Sequence, residues 1–453
     1  MQEASPTLFG HPRGLVYLAF TEAWERFSYY GMTALLVLYM VGQLLTPGHA
    51  EHVLGLAGLR ALLESNGPMS DQAFASLVYG WYGGLVYFTP ILGGLLADRL
   101  LGTRATVVLG ALLMAAGHVA MTFDASFLIA LGLLILGSGC LKGNISAQVG
   151  QLYPVEAESL RTQAYTIFSA AINIGAVAGP IVCGAVAAIH GWHAGFGVAG
   201  ALMILALVIY LAGQRHLPGG RERKARTDYP PLTAAERRRV LLLILLIVIA
   251  ILPLMAYIMI WNIGVLWVDR HAELSTALGD VPASWFNSVD SFFSIIAVPP
   301  LVALWRWQAK RGREPGDIGK IGIGMALVGA SALFMVAGSL IAGPDGRASV
   351  LWPLAGFAGM GIAFLYYWPV LLALVSRAAP AKVNATMMSA SFLALFAGSV
   401  LMGWLGSYYD EMHPALFWTI DAAIGFAGAL IILVVGRPLA RGLAVDERKR
   451  EQA

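Results

Sequence analysis

Twelve apolar runs, each long enough to cross a bilayer, follow one another along this chain, and no soluble fold accommodates that pattern. Windows of about 19 residues, broken at clusters of glycine, proline and charge, place the runs. They fall at roughly 15–42, 73–97, 104–122, 126–152, 163–188, 195–213, 240–268, 284–307, 319–342, 350–376, 384–408 and 415–436. Hydrocarbon offers no water to a peptide group, so a spanning helix needs about 20 apolar residues and satisfies its own backbone. Composition agrees: of 453 residues 58% are hydrophobic and only 12% are charged. The expected class is an all-α membrane protein. The first run carries ionisable groups and has no small-residue cleavage site behind it, so it reads as a retained helix and not as a signal peptide. Cys140 and Cys183 both lie in apolar runs, which argues for packing residues and against a disulfide framework.

One long polar connection, GQRHLPGGRERKARTDYPPLTAAERRR, separates the first six runs from the last six. The expected organisation is therefore a six-helix bundle over 1–213, a basic linker over 214–239, a second six-helix bundle over 240–437 and a tail over 438–453. If both termini share one face, that face carries 24 of the 29 Lys and Arg residues, whereas the other carries only Arg60, Arg270 and Arg347. Positive charge is retained in the cytoplasm, so both termini are expected there, in a multi-pass cell-membrane protein, a bacterial inner membrane being the suspected one. The linker lacks the aromatic interleaving of a nucleic-acid binder, and no nucleic-acid partner is expected. Two six-helix halves about a basic loop match the layout of secondary carriers. The segment GGLLADRLLGTRAT resembles the cytoplasmic loop motif of the major facilitator superfamily, with Gly94, Asp98, Arg99, Gly102 and Arg104 in place. The expected fold is that superfamily's, with 12 transmembrane helices in two six-helix bundles.

Charge inside the first run sets the functional question. In TEAWERFSYYGMTALL, the residues Glu22, Glu25, Arg26, Tyr29, Tyr30 and Thr33 fall within an arc of roughly 140° at helical spacing. The opposite face is compatible with lipid. Intramembrane charges face a protein interior or a watered cavity and find partners there. Lys142 in the fourth run supplies a second cation, so that two acids and two bases balance. Such a group serves either as a structural ion network or as a proton relay, in which exchange of a carboxylate's partner couples protonation to conformation. Asp421 in the twelfth run reads as a structural hydrogen-bonding group. His118 in the third reads equally as a proton shuttle or a packed side chain. His190 and His193 in IHGWHA supply too few ligands for a metal. No P-loop, nucleophile motif or paired catalytic carboxylate is present, so neither an enzyme nor an ATP-driven pump is expected, and no cofactor or metal.

The pattern E-x-x-E-R-F-x-Y-Y, met by Glu22, Glu25, Arg26, Phe27, Tyr29 and Tyr30, resembles the first-helix signature of the proton-coupled oligopeptide transporter family. LVYFTPILGGLLADR, GSGCLKGNISAQVGQLY and INIGAVAGP resemble its second, fourth and fifth helices, and PASWFNSVDSFFSIIAVP and PVLLALVSRAAPAKVNATMM align more loosely in the second half. The resemblance implies proton coupling through Glu22, Glu25, Arg26 and Lys142, and a substrate cavity lined by Tyr29, Tyr30, Tyr87 and Asn173. It implies proton-driven import of di- or tripeptides, or of similar small amine-bearing substrates, by alternating access; the chain is expected to function as a monomer.

Four departures from the family's pattern stand out. Thr33 stands where an arginine usually clamps the peptide carboxylate, and Ile258 and Met259 stand where the seventh helix often carries Glu or Gln. Phe364 replaces the tenth-helix glutamate that receives the peptide amino group, with Tyr366, Tyr367 and Trp368 following as an aromatic wall. Asp290-Ser291 replaces a usual Asn-Pro in the eighth helix, and Asp290 reads equally as a substitute for the missing carboxylate towards a cationic amine or a proton and as a helix-start Asp satisfied by its own backbone or at the lipid interface. These departures leave two alternatives open: the same fold carrying a non-peptide or carboxylate-blocked substrate, and a non-transporting sensor.

Overall fold

The computed structural model describes residues 7–8, 10–154, 157–218, 230–276, 279–343 and 346–443. Among the described residues, twelve helices are long and apolar enough to span a membrane. The first six are Arg13–Leu44, Asp71–Leu101, Thr103–Ala120, Asp124–Gln151, Glu158–His190 and Trp192–His216. The second six are Ala234–His271, Ala283–Lys310, Asp317–Ala342, Leu351–Ala378, Ala381–Glu411 and Pro414–Leu443. They are numbered as spans one to twelve, in chain order. The fold is that of the major facilitator superfamily, as the run of apolar segments and the loop motif led one to expect. Among the described residues, strand is confined to three two-residue ladders outside the spans, such as Thr7–Leu8 paired antiparallel with His11–Pro12.

Helix ends depart from the hydropathy boundaries where capping or packing takes over. Thr233 and Glu236 form a reciprocal capping box, which starts span seven at Ala234 inside the expected linker. Residues 219–229 of that linker, with four of its eight basic residues, lie outside the described residues, as do 444–453 of the expected tail. Span twelve runs on through Arg437 to Leu443, because Leu439 and Leu443 remain buried beyond the apolar window. Span seven is interrupted at buried Asn262, whose backbone (φ −108°, ψ −86°) leaves helical geometry and whose amide reaches Met402 Sδ at 3.1 Å.

The chain divides into two compact units, Met1–Lys224 with Leu274–Ser291, and Ala225–Glu273 with Phe292–Ala453. The short piece Leu274–Ser291 groups with the first unit for a local reason. Trp285 Nε1 donates to Ile181 O at 2.9 Å and Ser288 Oγ donates to Val177 O at 2.7 Å.

Span one is the central element of the first unit, with 78% of its apolar window buried against 17% for span eight. This corrects the expectation of a lipid-compatible back face: Leu35, Leu36 and Val37 are buried together with the polar stripe. Glycines on span five permit it. A Cβ at Gly175 would lie 2.5 Å from Ala23 O, and one at Gly179 would lie 2.4 Å from Phe27 O. The helices therefore meet backbone to backbone, and span one is enclosed by protein.

At one end of the unit, Asp124 ties three segments. It accepts from Tyr39 Oη at 2.5 Å, from His49 Nδ1 at 2.6 Å and from His193 Nε2 at 2.6 Å. His193, weighed above only as a metal ligand, thus donates to a carboxylate that its own loop does not contain. His118 is fully buried, and neither ring nitrogen has a hydrogen-bond partner among the described residues.

Candidate functional site

The polar stripe of span one holds a buried triad. Arg26 Nε lies 2.8 Å from Glu22 Oε1 and 2.6 Å from Glu25 Oε2. Its one N–H donates to Glu22, four residues earlier and one turn below on the same face. Glu25 is in ion contact yet accepts no hydrogen bond, and neither does Glu22 Oε2. One guanidinium thus faces two carboxylates, so the triad holds a net negative charge when all three groups are ionised.

Lys142 is the available counter-charge, but it does not touch either acid. Among the described residues no carboxylate lies within 4.0 Å of its ammonium. Instead Nζ sits 4.3 Å from the Tyr29 ring centre and 5.0 Å from that of Tyr87. Arg26 approaches the same Tyr29 ring at 5.9 Å. Aromatic faces attract a cation without binding its proton, so they hold Lys142 beside the triad and leave the ammonium available for another partner.

Tyr30 packs edge-on against Tyr29, with ring centres 5.2 Å apart. Tyr79 and Tyr82 are also buried on span two. They were not singled out from the sequence, although their spacing from Tyr87 places all three along one side of span two. Asp290 is buried in this unit. Asn173 is exposed on span five, two residues before the glycine that meets span one and so on a different face. Thr33 is buried and turned back on its own helix, its hydroxyl donating to Tyr29 O at 2.9 Å and Tyr30 O at 3.2 Å.

The remaining candidates belong to the second unit and have different surroundings. Phe364 stacks on Tyr257 at 5.1 Å and 24°, and meets Tyr367 edge-on at 5.8 Å. Trp368 meets Phe392 edge-on at 6.0 Å. Where the resemblance calls for a carboxylate, this chain builds an aromatic cluster. Asp421 is completely buried, and neither of its oxygens has a hydrogen-bond partner among the described residues. That corrects the expectation of a structural hydrogen bond: its helix meets span nine at Gly329 and Gly425, a contact that supplies packing and no side-chain donor.

Twelve spans, with an intramembrane acid–base triad and an adjacent lysine, have the architecture of a membrane transporter of the major facilitator type. The sequence profile of the POT family matches residues 104–226 and 231–418. A protein named di-/tripeptide transporter from Lactococcus lactis subsp. cremoris is 31% identical, over 97% of this chain and 98% of its own length. A crystal structure of a peptide transporter in complex with alafosfalin superposes with a TM-score of 0.84 at 27% identity, covering 97% of each chain. Another, of a POT family transporter in complex with 5-aminolevulinic acid, gives a TM-score of 0.82 at 25% identity, over 96% of this chain and 98% of the other. This chain belongs to the POT family.

Proposed function

We propose that this protein imports di- or tripeptides, or closely similar amine-bearing molecules, by proton symport with alternating access. The observation that carries the reading is the Glu22–Glu25–Arg26 triad, with Lys142 held beside it on two tyrosine rings. A proton arriving on Glu25 removes one of the two negative charges facing Arg26, which weakens that contact and strengthens the hold of Glu22. Departure of the proton restores the second acid and draws Lys142 towards it. The charge state of the triad thereby biases which packing of the helices is favoured, which is the requirement for coupling. One proton crossing 100 mV contributes about 2.3 kcal/mol, enough for roughly fifty-fold accumulation of a neutral substrate.

Tyr29, Tyr30, Tyr87, Asn173 and Asp290 of the first unit, and Phe364 and Trp368 of the second, are the proposed substrate contacts. The chain is proposed to act as a monomer in the cell membrane, with both termini cytoplasmic, and to need no cofactor. The test is uptake of labelled dialanine into proteoliposomes driven by an imposed pH gradient. Absence of pH-driven uptake, with peptide exchange also absent, overturns the reading.

A second reading of the cargo rests on Thr33. Its hydroxyl is already bonded to its own helix, so no charged hold for a peptide carboxylate exists at that position. A substrate whose carboxylate is blocked or absent fits this arrangement. Competition by peptide amides as strong as by free peptides supports it.

A further inference from the structure

We propose that the groove between spans nine and twelve binds one anionic phospholipid, its phosphate at Arg437 and an acyl chain laid along Leu433, Leu430 and Ile323. The groove is a cavity of about 1000 Å³ wholly within the second unit. Its floor is made where the two helices touch. A Cβ at Gly322 would lie 2.8 Å from Ile432 Cγ2, and one at Gly436 would lie 3.2 Å from Ile318 Cγ2. Above that floor the space is open, for a Cβ at Gly316 would meet nothing within 4 Å and one at Gly319 only Pro315.

The walls divide by polarity along the helix axis. On one side Leu430, Leu433 and Ile323 are 61%, 78% and 37% exposed, a surface that in a bilayer is covered by hydrocarbon. On the other side lie Arg377, Arg437 and, one turn further on, Arg441. Arg377 is paired with Asp317 at the start of span nine, so that pair leaves little net charge. Arg437 and Arg441 are exposed, and neither makes an ion pair with a described residue. The surplus at the mouth of the groove is therefore cationic.

Depth matches the same ligand. From Ala429 to Arg437 the helix rises about 12 Å, close to the roughly 15 Å hydrocarbon depth of one leaflet. An apolar trough one leaflet deep that ends in arginine has the amphiphilic shape of a phospholipid, and arginine binds phosphate oxygens by paired N–H groups. A water-soluble anion would use the arginines and leave the trough unfilled. A neutral lipid would use the trough and leave the charge unmatched.

The experiment uses the full chain in mild detergent, with lipid retention read by native mass spectrometry for phosphatidylglycerol and phosphatidylcholine of identical chains. Wild type should retain phosphatidylglycerol about five-fold more than phosphatidylcholine, the effect of roughly one arginine at a membrane surface. Arg437→Gln should remove that preference, Arg437→Lys should keep most of it, and Gly319→Leu should lower retention of both lipids by filling the trough. Equal retention of the two lipids by wild type overturns the proposal, as does an unchanged preference in Arg437→Gln. Displacement by inorganic phosphate as effective as by the lipid also overturns it, because that marks a free-anion site. Should Arg437→Gln fail to fold, wild type in rising salt still decides: a preference that does not shrink between about 50 and 500 mM is not carried by the arginines.

Discussion

The two units handle intramembrane polarity in opposite ways. In the first, the charges of span one are clustered: Arg26 contacts both Glu22 and Glu25, and Lys142 is held by two tyrosine rings nearby. In the second, the candidate substrate residues Phe364 and Trp368 are packed among aromatic rings, and the buried carboxyl of Asp421 has no hydrogen-bond partner among the described residues. Charge in a low-dielectric interior does useful work only where a second charge can respond to it. In the proposed reading, ionic coupling belongs to the first unit and shape recognition to the second.

The sharpest way to break that division is at Lys142. Lys142→Ala should lower pH-driven uptake by roughly 100-fold, as loss of a proton-relay member does, while exchange of peptide across the membrane without a gradient persists. Loss of both activities together would assign Lys142 to binding instead of coupling. Next in size, Arg26→Gln leaves two buried acids without their cation and should destabilise the protein by about 3 kcal/mol, read from thermal unfolding in detergent. Gly179→Ala should cost about 1–3 kcal/mol in the same assay, because its Cβ would stand 2.4 Å from Phe27 O, and it tests whether the triad depends on the close approach of span five.

In the second unit the expected effects are smaller and of another kind. Asp421→Asn should leave the pH dependence of uptake unchanged and thermal stability the same or higher, since no hydrogen bond is lost. A shifted pH profile would place a second coupling group in that unit and end the comparison as drawn. Phe364→Leu should raise the KM for peptide several-fold with the pH profile intact, as expected for a truncated aromatic contact. Smallest of all is the half-buried pair Arg60–Glu64 of the first unit, a control for charges outside the spans. The hydrogen bond from Arg60 holds the Glu64 carboxyl below its ordinary range. Its contribution is present above the unfolded value of about 4.3 and is lost as pH falls through the lower folded value. The unfolding-temperature difference between Glu64→Gln and wild type should therefore be constant from about pH 7 to 5 and vanish at strongly acid pH.

Much of this was legible in the residues. Twelve spans follow from hydropathy because a membrane forces every spanning segment to be apolar and helical, whatever its neighbours. The polar stripe of span one is equally local, since Glu22, Glu25, Arg26 and Tyr29 share a face by helical spacing alone. The partner of Lys142 was not legible. Charge balance pointed to a carboxylate, whereas the structure sets the ammonium on Tyr29 and Tyr87, because which side chain lies across from residue 142 depends on how spans one, two and four pack. Asp421 and Thr33 teach the same lesson from opposite sides. One reads as a hydrogen-bonding group and has no hydrogen-bond partner among the described residues; the other reads as part of the polar stripe, at the place of a missing clamp, and bonds its own helix.

By itself, the sequence determined the number of spans, the all-α class and the placing of charge on one face of the first helix. Each of these depends on spacing along a single segment or on transfer from water to lipid, and both are local quantities. Only tertiary structure decided that span one is enclosed by protein, that Asp124 joins Tyr39, His49 and His193, and that arginines stand at the mouth of an apolar groove between spans nine and twelve. Those outcomes turn on which helix faces which. In this chain that was set by glycines such as Gly175, Gly179 and Gly322, where the absence of a side chain lets two backbones close to a separation that no hydropathy pattern records.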